Sequence, residues 1–171
     1  YLLFPLSILD HIQHFFIHHG IIIPVCLLAV STGVIDLSGD SVLQIVHNGQ
    51  WANTAGSDLT LNMTNNATLK VKQTDGNRWI QFGNNNAADI KLNLAGGTIC
   101  DYDGNDLIHF QLRGGAQSVY NFSGVTVNTE NFAIEGKADT AAPDAWHIAR
   151  QTAGTINVRQ HGAGDGLDIR G

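Results

Sequence analysis

From Val34 onward, apolar and polar residues alternate with a period of two. The runs "VIDL" (34–37), "VLQIV" (42–46), "LTLNM" (59–63), "TLKVKQ" (68–73), "WIQF" (79–82) and "IKLNL" (90–94) all follow this pattern. So do "LIHFQL" (107–112), "VTV" (125–127), "FAIE" (132–135), "WHIAR" (146–150), "TINVR" (155–159) and "LDIR" (167–170). Each run is short, rich in Val, Ile, Thr and aromatics, and bounded by Gly, Asn or Asp, which is the pattern of half-buried strands. Their starts recur about every ten residues, the spacing of an all-β chain. No sustained helical period follows Gly33.

Residues 1–33 read differently. They hold one formal charge, Asp10, and four of the eight histidines, in a text of Leu, Ile, Phe and Val. The longest clean apolar run, Ile21 to Val30, contains Pro24 and is about half the ~20 residues a membrane-spanning helix needs. Ala29-Val30-Ser31 resembles a signal cleavage site, but no basic leader precedes it. So apolar a surface does not stay exposed on a soluble monomer. The expectation is an apolar, helical N-terminal segment, 1–33, for attachment or oligomerisation, followed by a β-rich domain, 34–171. On a helix, His11, His14 and His18 share one face, and His14 and His18 have a spacing that can chelate zinc. No His-Glu-x-x-His signature, cysteine or second carboxylate accompanies them, and the polar face of an amphipathic helix explains them more simply.

Two β architectures fit the remainder. One is a β-solenoid, or an intertwined trimeric β-prism or β-helix, in which strands stack rung upon rung. The other is an antiparallel, jelly-roll-like sandwich with tight hairpins. A repeat favours stacking. "TDGNRWIQF" ends at Phe82 and "YDGNDLIHF" at Phe110, 28 residues later. In a stacked fold, Asp-Gly-Asn turns a corner each time. Ile80 and Phe82 then point inward with Gln81 outward, and Ile108, Phe110 and His109 repeat that pose. A thin prism has little interior of its own, so sister chains are expected to seal it. Asn and Thr on the outside suit ladders that hydrogen-bond from rung to rung.

Composition changes this picture in two ways. Charged residues make up only 14% of the chain, so amides and hydroxyls keep its surface wet. The net charge is −6 and the first Lys or Arg is Lys70, which argues against nucleic acid as a partner. Cys26 and Cys100 form neither a disulfide framework nor a metal spacing, and two separate buried thiols are the simpler reading.

Candidate chemistry is sparse. Asp101, Asp103 and Asp106 cluster in "CDYDGND", but Gly104 comes too early for a calcium loop and the closing Glu is absent. A solvated turn explains them, and a glycosidase pair needs a separation that sequence does not show. Ser118, Asp144 and His147 can be arranged as a triad on paper, without a Gly-x-Ser-x-Gly elbow. Asn62, Asn66 and Asn121 sit in Asn-x-Ser/Thr sequons. Of Trp51, Trp79 and Trp146, only Trp79 is expected outside the core, at a subunit interface. No catalytic, cofactor-binding or metal-binding residue is singled out, and no enzymatic activity is expected.

The run "NLAGGTICDYDGNDLIHFQLRGGAQSVYNFSGVTVN" (93–128) and the ending "GAGDGLDIRG" resemble fibre and tail-associated structural proteins of tailed bacteriophages, particularly marine ones. The resemblance is one of style over about residues 59–171, without invariant functional residues. It implies an elongated, β-rich, homotrimeric virion appendage. Such an appendage attaches to other virion proteins, here through residues 1–33, and meets a host cell-surface glycan at its other end. The greasy N-terminus departs from that pattern. The alternative is a subunit of an exported filament or adhesin, extracellular or on the cell surface, that polymerises through residues 1–33.

Overall fold

The computed structural model describes residues 14–18, 22–25, 32–45, 49–52, 56–71, 79–83, 88–113, 117–135, 146–159 and 166–170. Among these there is no helix. The strands are β1 (His14–His18), β2 (Ile22–Val25), β3 (Thr32–Ser38), β4 (Val42–Ile45), β5 (Gly49–Trp51), β6 (Asp58–Met63) and β7 (Thr68–Val71). They continue with β8 (Trp79–Phe82), β9 (Asp89–Leu94), β10 (Thr98–Asp101), β11 (Leu107–Leu112), β12 (Gln117–Glu135), β13 (Trp146–Val158) and β14 (Leu167–Arg170).

Every strand pairing among the described residues is parallel, and the strands stack in three columns. The first column runs β1, β3, β6, β9, the start of β12, and β13. The second runs β2, β4, β7, β10, the middle of β12, and the later part of β13. The third runs β5, β8, β11, the end of β12, and β14. Successive strands thus wrap around one axis as a parallel β-solenoid. Strand β12 makes a whole circuit alone, pairing with β9, β10 and β11 on one side and with β13 and β14 on the other.

Parallel stacking excludes the antiparallel sandwich and its hairpins. It also corrects the reason for invoking sister chains, because a single chain encloses its own core. The period of two sends alternate side chains inward. Ile35 and Leu37, Leu61 and Met63, Leu92 and Leu94, and Tyr120 and Phe122 are all buried from the first column. From the third column come Trp51, Phe82, Phe110 and Phe132, whose ring centroids follow one another at 5.1, 5.9 and 5.7 Å.

The corner between the first and second columns turns on a left-handed residue in several circuits: Gly39 (φ 64°), Asn65 (φ 59°), Gly97 (φ 89°) and Gly154 (φ 84°). Backbone bonds stack there as well. The Thr98 N–H donates to Ala67 O at 2.9 Å and the Thr126 N–H to Gly97 O at 2.9 Å. Circuits approach so closely that a Cβ on Gly97 would lie 2.1 Å from Ala67 O.

Two expectations change. Where the N-terminal segment is described it is strand, not helix: β1 and β2 extend the columns of β3 and β4, and β3 runs through Gly33. The open edges of β3 and β4 offer a ladder that an Ile- and Phe-rich text can join. The remaining residues of that segment, His11 and Cys26 included, lie outside the described ones, and no described helix is long and apolar enough to cross a membrane. The repeat is also displaced. Phe110 pairs with Ile80 and Leu112 with Phe82, an offset of 30 residues rather than 28. Ile108 is consequently only half-buried, while Phe110 takes the position opposite Ile80. A slip of two preserves which face is inward, so both phenylalanines still reach the core. Asp103-Gly104-Asn105 does form a turn, with Gly104 at φ 83°; its counterpart at 75–77 lies outside the described residues.

Candidate functional site

The outward positions of the first column form a polar file along the axis. Asn121 donates from Nδ2 to Asn93 Oδ1 at 3.0 Å, Asn93 to Asn62 Oδ1 at 2.7 Å, and Asn62 to Asp36 Oδ1 at 2.5 Å. Asn62 and Asn93 each donate one bond and accept one in the file, so like side chains satisfy each other across parallel strands. Asn157 donates to Asn128 in the same way at 2.9 Å. In the second column Thr68, Thr98, Thr126 and Thr155 occupy consecutive paired positions. Replacing Asn93 with alanine removes two of these bonds and is expected to cost about 1–2 kcal/mol in chemical denaturation. Alanine at Asn66, which bonds Asp40 in an exposed turn, is expected to change stability by less than about 0.5 kcal/mol.

The same file bears on the sequons. The Asn62 and Asn121 amides are half-buried and engaged, while Asn66 stands exposed.

The carboxylates of "CDYDGND" build and brace the second corner. Asp101 is buried; its Oδ1 accepts the Asn105 backbone N–H at 2.6 Å, and the Gly104 N–H donates to its carbonyl at 3.2 Å. Asp106 is buried 3.5 Å from Arg159 Nη1, and of the three only Asp103 is exposed. No group of three His, Cys, Asp or Glu that could hold a metal occurs among the described residues.

Two members of the paper triad meet. Ser118 and His147 are partners in the β12–β13 ladder. Ser118 is fully buried and its Oγ has no hydrogen-bond partner, so it has no path to a substrate. Asp144 lies outside the described residues. The His147 ring stacks on Tyr120 with centroids 6.3 Å apart, its Nδ1 3.5 Å from the Tyr120 hydroxyl. Burial holds the His147 imidazole below its ordinary value. The unfolded chain therefore takes up this proton first as pH falls. Stability from this group is complete above about pH 7, falls as pH drops through about 6.5, and levels once the folded form also protonates. Denaturant midpoints compared between about pH 7 and pH 5 should fall further for the native chain than for His147→Gln.

Among the tryptophans, Trp51 is core, set edge-on to Phe82. The side chains of Trp79 and Trp146 lie outside the described ones. Cys100 is a free, buried thiol. Burial pushes it above the usual thiol range, against a partial pull from Lys70 and with a further push from Asp101.

The feature that sequence reasoning missed is the C-terminal end. Strands β13 and β14 pair on one side only, with β12, among the described residues. Ile156 and Val158 on β13 are half-buried against the core, and the apolar residues of β14 are exposed. Leu167 is 66% exposed and Ile169 67%, and both face a cavity of about 300 Å³ floored by Phe122, Phe132 and Ile134 and flanked by Ile156 and Val158. "LDIR" looks like every other half-buried run, so nothing in its text marks that exposure. Arg150 and Gln151 line the rim. No protein-family model matches the chain, and neither a curated protein nor a solved structure matches it.

Proposed function

We propose that this chain is a structural, non-enzymatic component of a virion, a phage fibre or tail-associated protein that contributes a stiff β-rich segment to an appendage. The observation that carries the reading is the axial file Asp36–Asn62–Asn93–Asn121, backed by the aromatic stack behind it. Both run along one axis and lock each circuit to the next, which resists bending. The described chemical candidates have structural work: Asp101 and Asp106 hold a corner, and Ser118 is sealed. Self-association is part of the proposal. The resemblance implies three copies, further virion proteins as neighbours, and a host cell-surface glycan at the distal end.

Mass spectrometry of purified virions that encode the chain tests the assignment. The expected result is the chain in stoichiometric ratio to other structural proteins. A second reading, an exported cellular filament or adhesin subunit, draws on the exposed Leu167 and Ile169. Recovery of the chain from shed surface filaments and not from particles would transfer the assignment to it. Cleavage of any member of a polysaccharide panel, abolished by Asp103→Asn or Asp106→Asn, would overturn both.

A further inference from the structure

The outer side of the third column holds two buried polar atoms that protein groups leave unpaired. His109 on β11 and Asn131 on β12 are register partners in a parallel ladder. The next residues along, Phe110 and Phe132, stack in the core. His109 and Asn131 therefore project outward, side by side. Position alone would leave both solvated, yet Asn131 is only 5% exposed and His109 is half-buried. The Asn131 Oδ1 and His109 Nδ1 atoms are sealed from solvent, and neither has a hydrogen-bond partner.

The backbone that carries Asn131 is fixed. Thr129 Oγ1 accepts the Asn131 N–H at 3.3 Å and donates to the Asn131 carbonyl at 2.7 Å. The same hydroxyl lies 3.2 Å from Leu107 O, so it reaches across to β11. The amide is thus held where it stands, and a buried polar atom without a partner costs free energy.

The two unpaired atoms complement each other. Both lie at the δ position of their side chains, so they reach equally far from neighbouring strands. In the first column the same relation gives a direct bond, from Asn121 to Asn93 at 3.0 Å. Here no direct bond forms, and a water molecule suits the pair. It bonds to an imidazole nitrogen and donates to an amide oxygen at once. Trp51 Nε1 is also buried without a partner, but its register partner is Phe82, which offers no polar atom. A metal ion asks for more ligands than one nitrogen and one amide oxygen. No group of three His, Cys, Asp or Glu occurs among the described residues to supply them.

We propose that one water molecule is bound between His109 Nδ1 and Asn131 Oδ1 and ties the circuit of β11 to that of β12. The third column is then locked on its outer side by a bound water, where the first is locked by its asparagines. This rests on these two side chains and not on the virion assignment.

A crystal structure of the full chain, at a resolution that shows ordered water, tests it. The expected result is one water within hydrogen-bonding distance of both atoms. In Asn131→Leu that water should be lost, and the urea midpoint should fall, because His109 Nδ1 then stays unpaired. Asn131→Asp keeps an acceptor oxygen and should keep the water. A direct bond between His109 and Asn131 in the native chain would overturn the proposal. So would a metal ion located between them by anomalous scattering, or no density within reach of either atom. A urea midpoint raised by Asn131→Leu would overturn it too, since the amide would then have been unpaired in the native chain. Should Asn131→Leu fail to fold, the crystal structure of the native chain decides alone.

Discussion

Replacing Phe110 with alanine is expected to lower the free energy of unfolding by about 3–5 kcal/mol. The ring is fully buried and lies 5.9 Å from Phe82 and 5.7 Å from Phe132, almost parallel to the latter at 5°. It therefore joins three circuits. Its removal loses the transfer energy of a large apolar side chain and the ring contacts on both sides. The cavity left behind does not collapse easily, because the backbone ladders fix the spacing between circuits. Equilibrium denaturation in urea checks the magnitude. A loss below about 1 kcal/mol would mean that the ring is not in this stack.

Alanine at Gly97 is expected to cost about 3 kcal/mol or more, by two mechanisms that separate experimentally. Its φ of 89° is outside the range of comfortable L-residue conformations, and its added Cβ would lie 2.1 Å from Ala67 O. The contact is with backbone of the circuit below, so no side chain can rotate away. Gly104 supplies the comparison. It has a φ of 83° with open space around its Cβ position, so Gly104→Ala reports backbone strain alone. That cost is expected near 1 kcal/mol. The difference between the two variants measures how tightly circuits press at the first corner.

The period of two made most strands legible before any fold was known. "WIQF", "LIHFQL" and "LDIR" coincide with β8, β11 and β14. The strands that escaped have physical reasons. Gly49–Trp51 is three residues long and shows no alternation. In Thr98–Asp101 the alternation fails because Cys100 and Asp101 are both buried at the start of a corner. The start of β12, "SVYNF", puts Ser118 inward, where the pattern wants an apolar residue. At the N-terminus, histidines spaced by three and four mimic a helical face. Only the open edge of β3 decides for strand at His14–His18, and that edge is a tertiary fact.

The repeat was partly legible for a related reason. Circuits differ in length: 26 residues separate Asp36 from Asn62, 31 separate Asn62 from Asn93, and 28 separate Asn93 from Asn121. Corner loops absorb the differences, so no fixed period survives along the chain. Face and parity survive because they are set by the strand pleat. The amide file was foreseeable as chemistry but not as an address. Nothing in the letters pairs Asn62 with Asn93 rather than with a nearer asparagine. The exposed end was not legible at all, because exposure depends on what stacks above β14.

The central claim is that one chain stacks its own strands in parallel and in register, with asparagines aligned along one outer face. A cysteine pair measures this directly. Asn93 and Asn121 are register partners on adjacent parallel strands, which places their Cα atoms about 5 Å apart, within reach of a disulfide. In a chain with Cys26 and Cys100 changed to serine, Asn93→Cys with Asn121→Cys should close an intrachain disulfide under mild oxidation, at high dilution. Asn93→Cys with Thr126→Cys, in the neighbouring column, should not. A bond that forms only between molecules, or no bond in the register pair, would contradict the account.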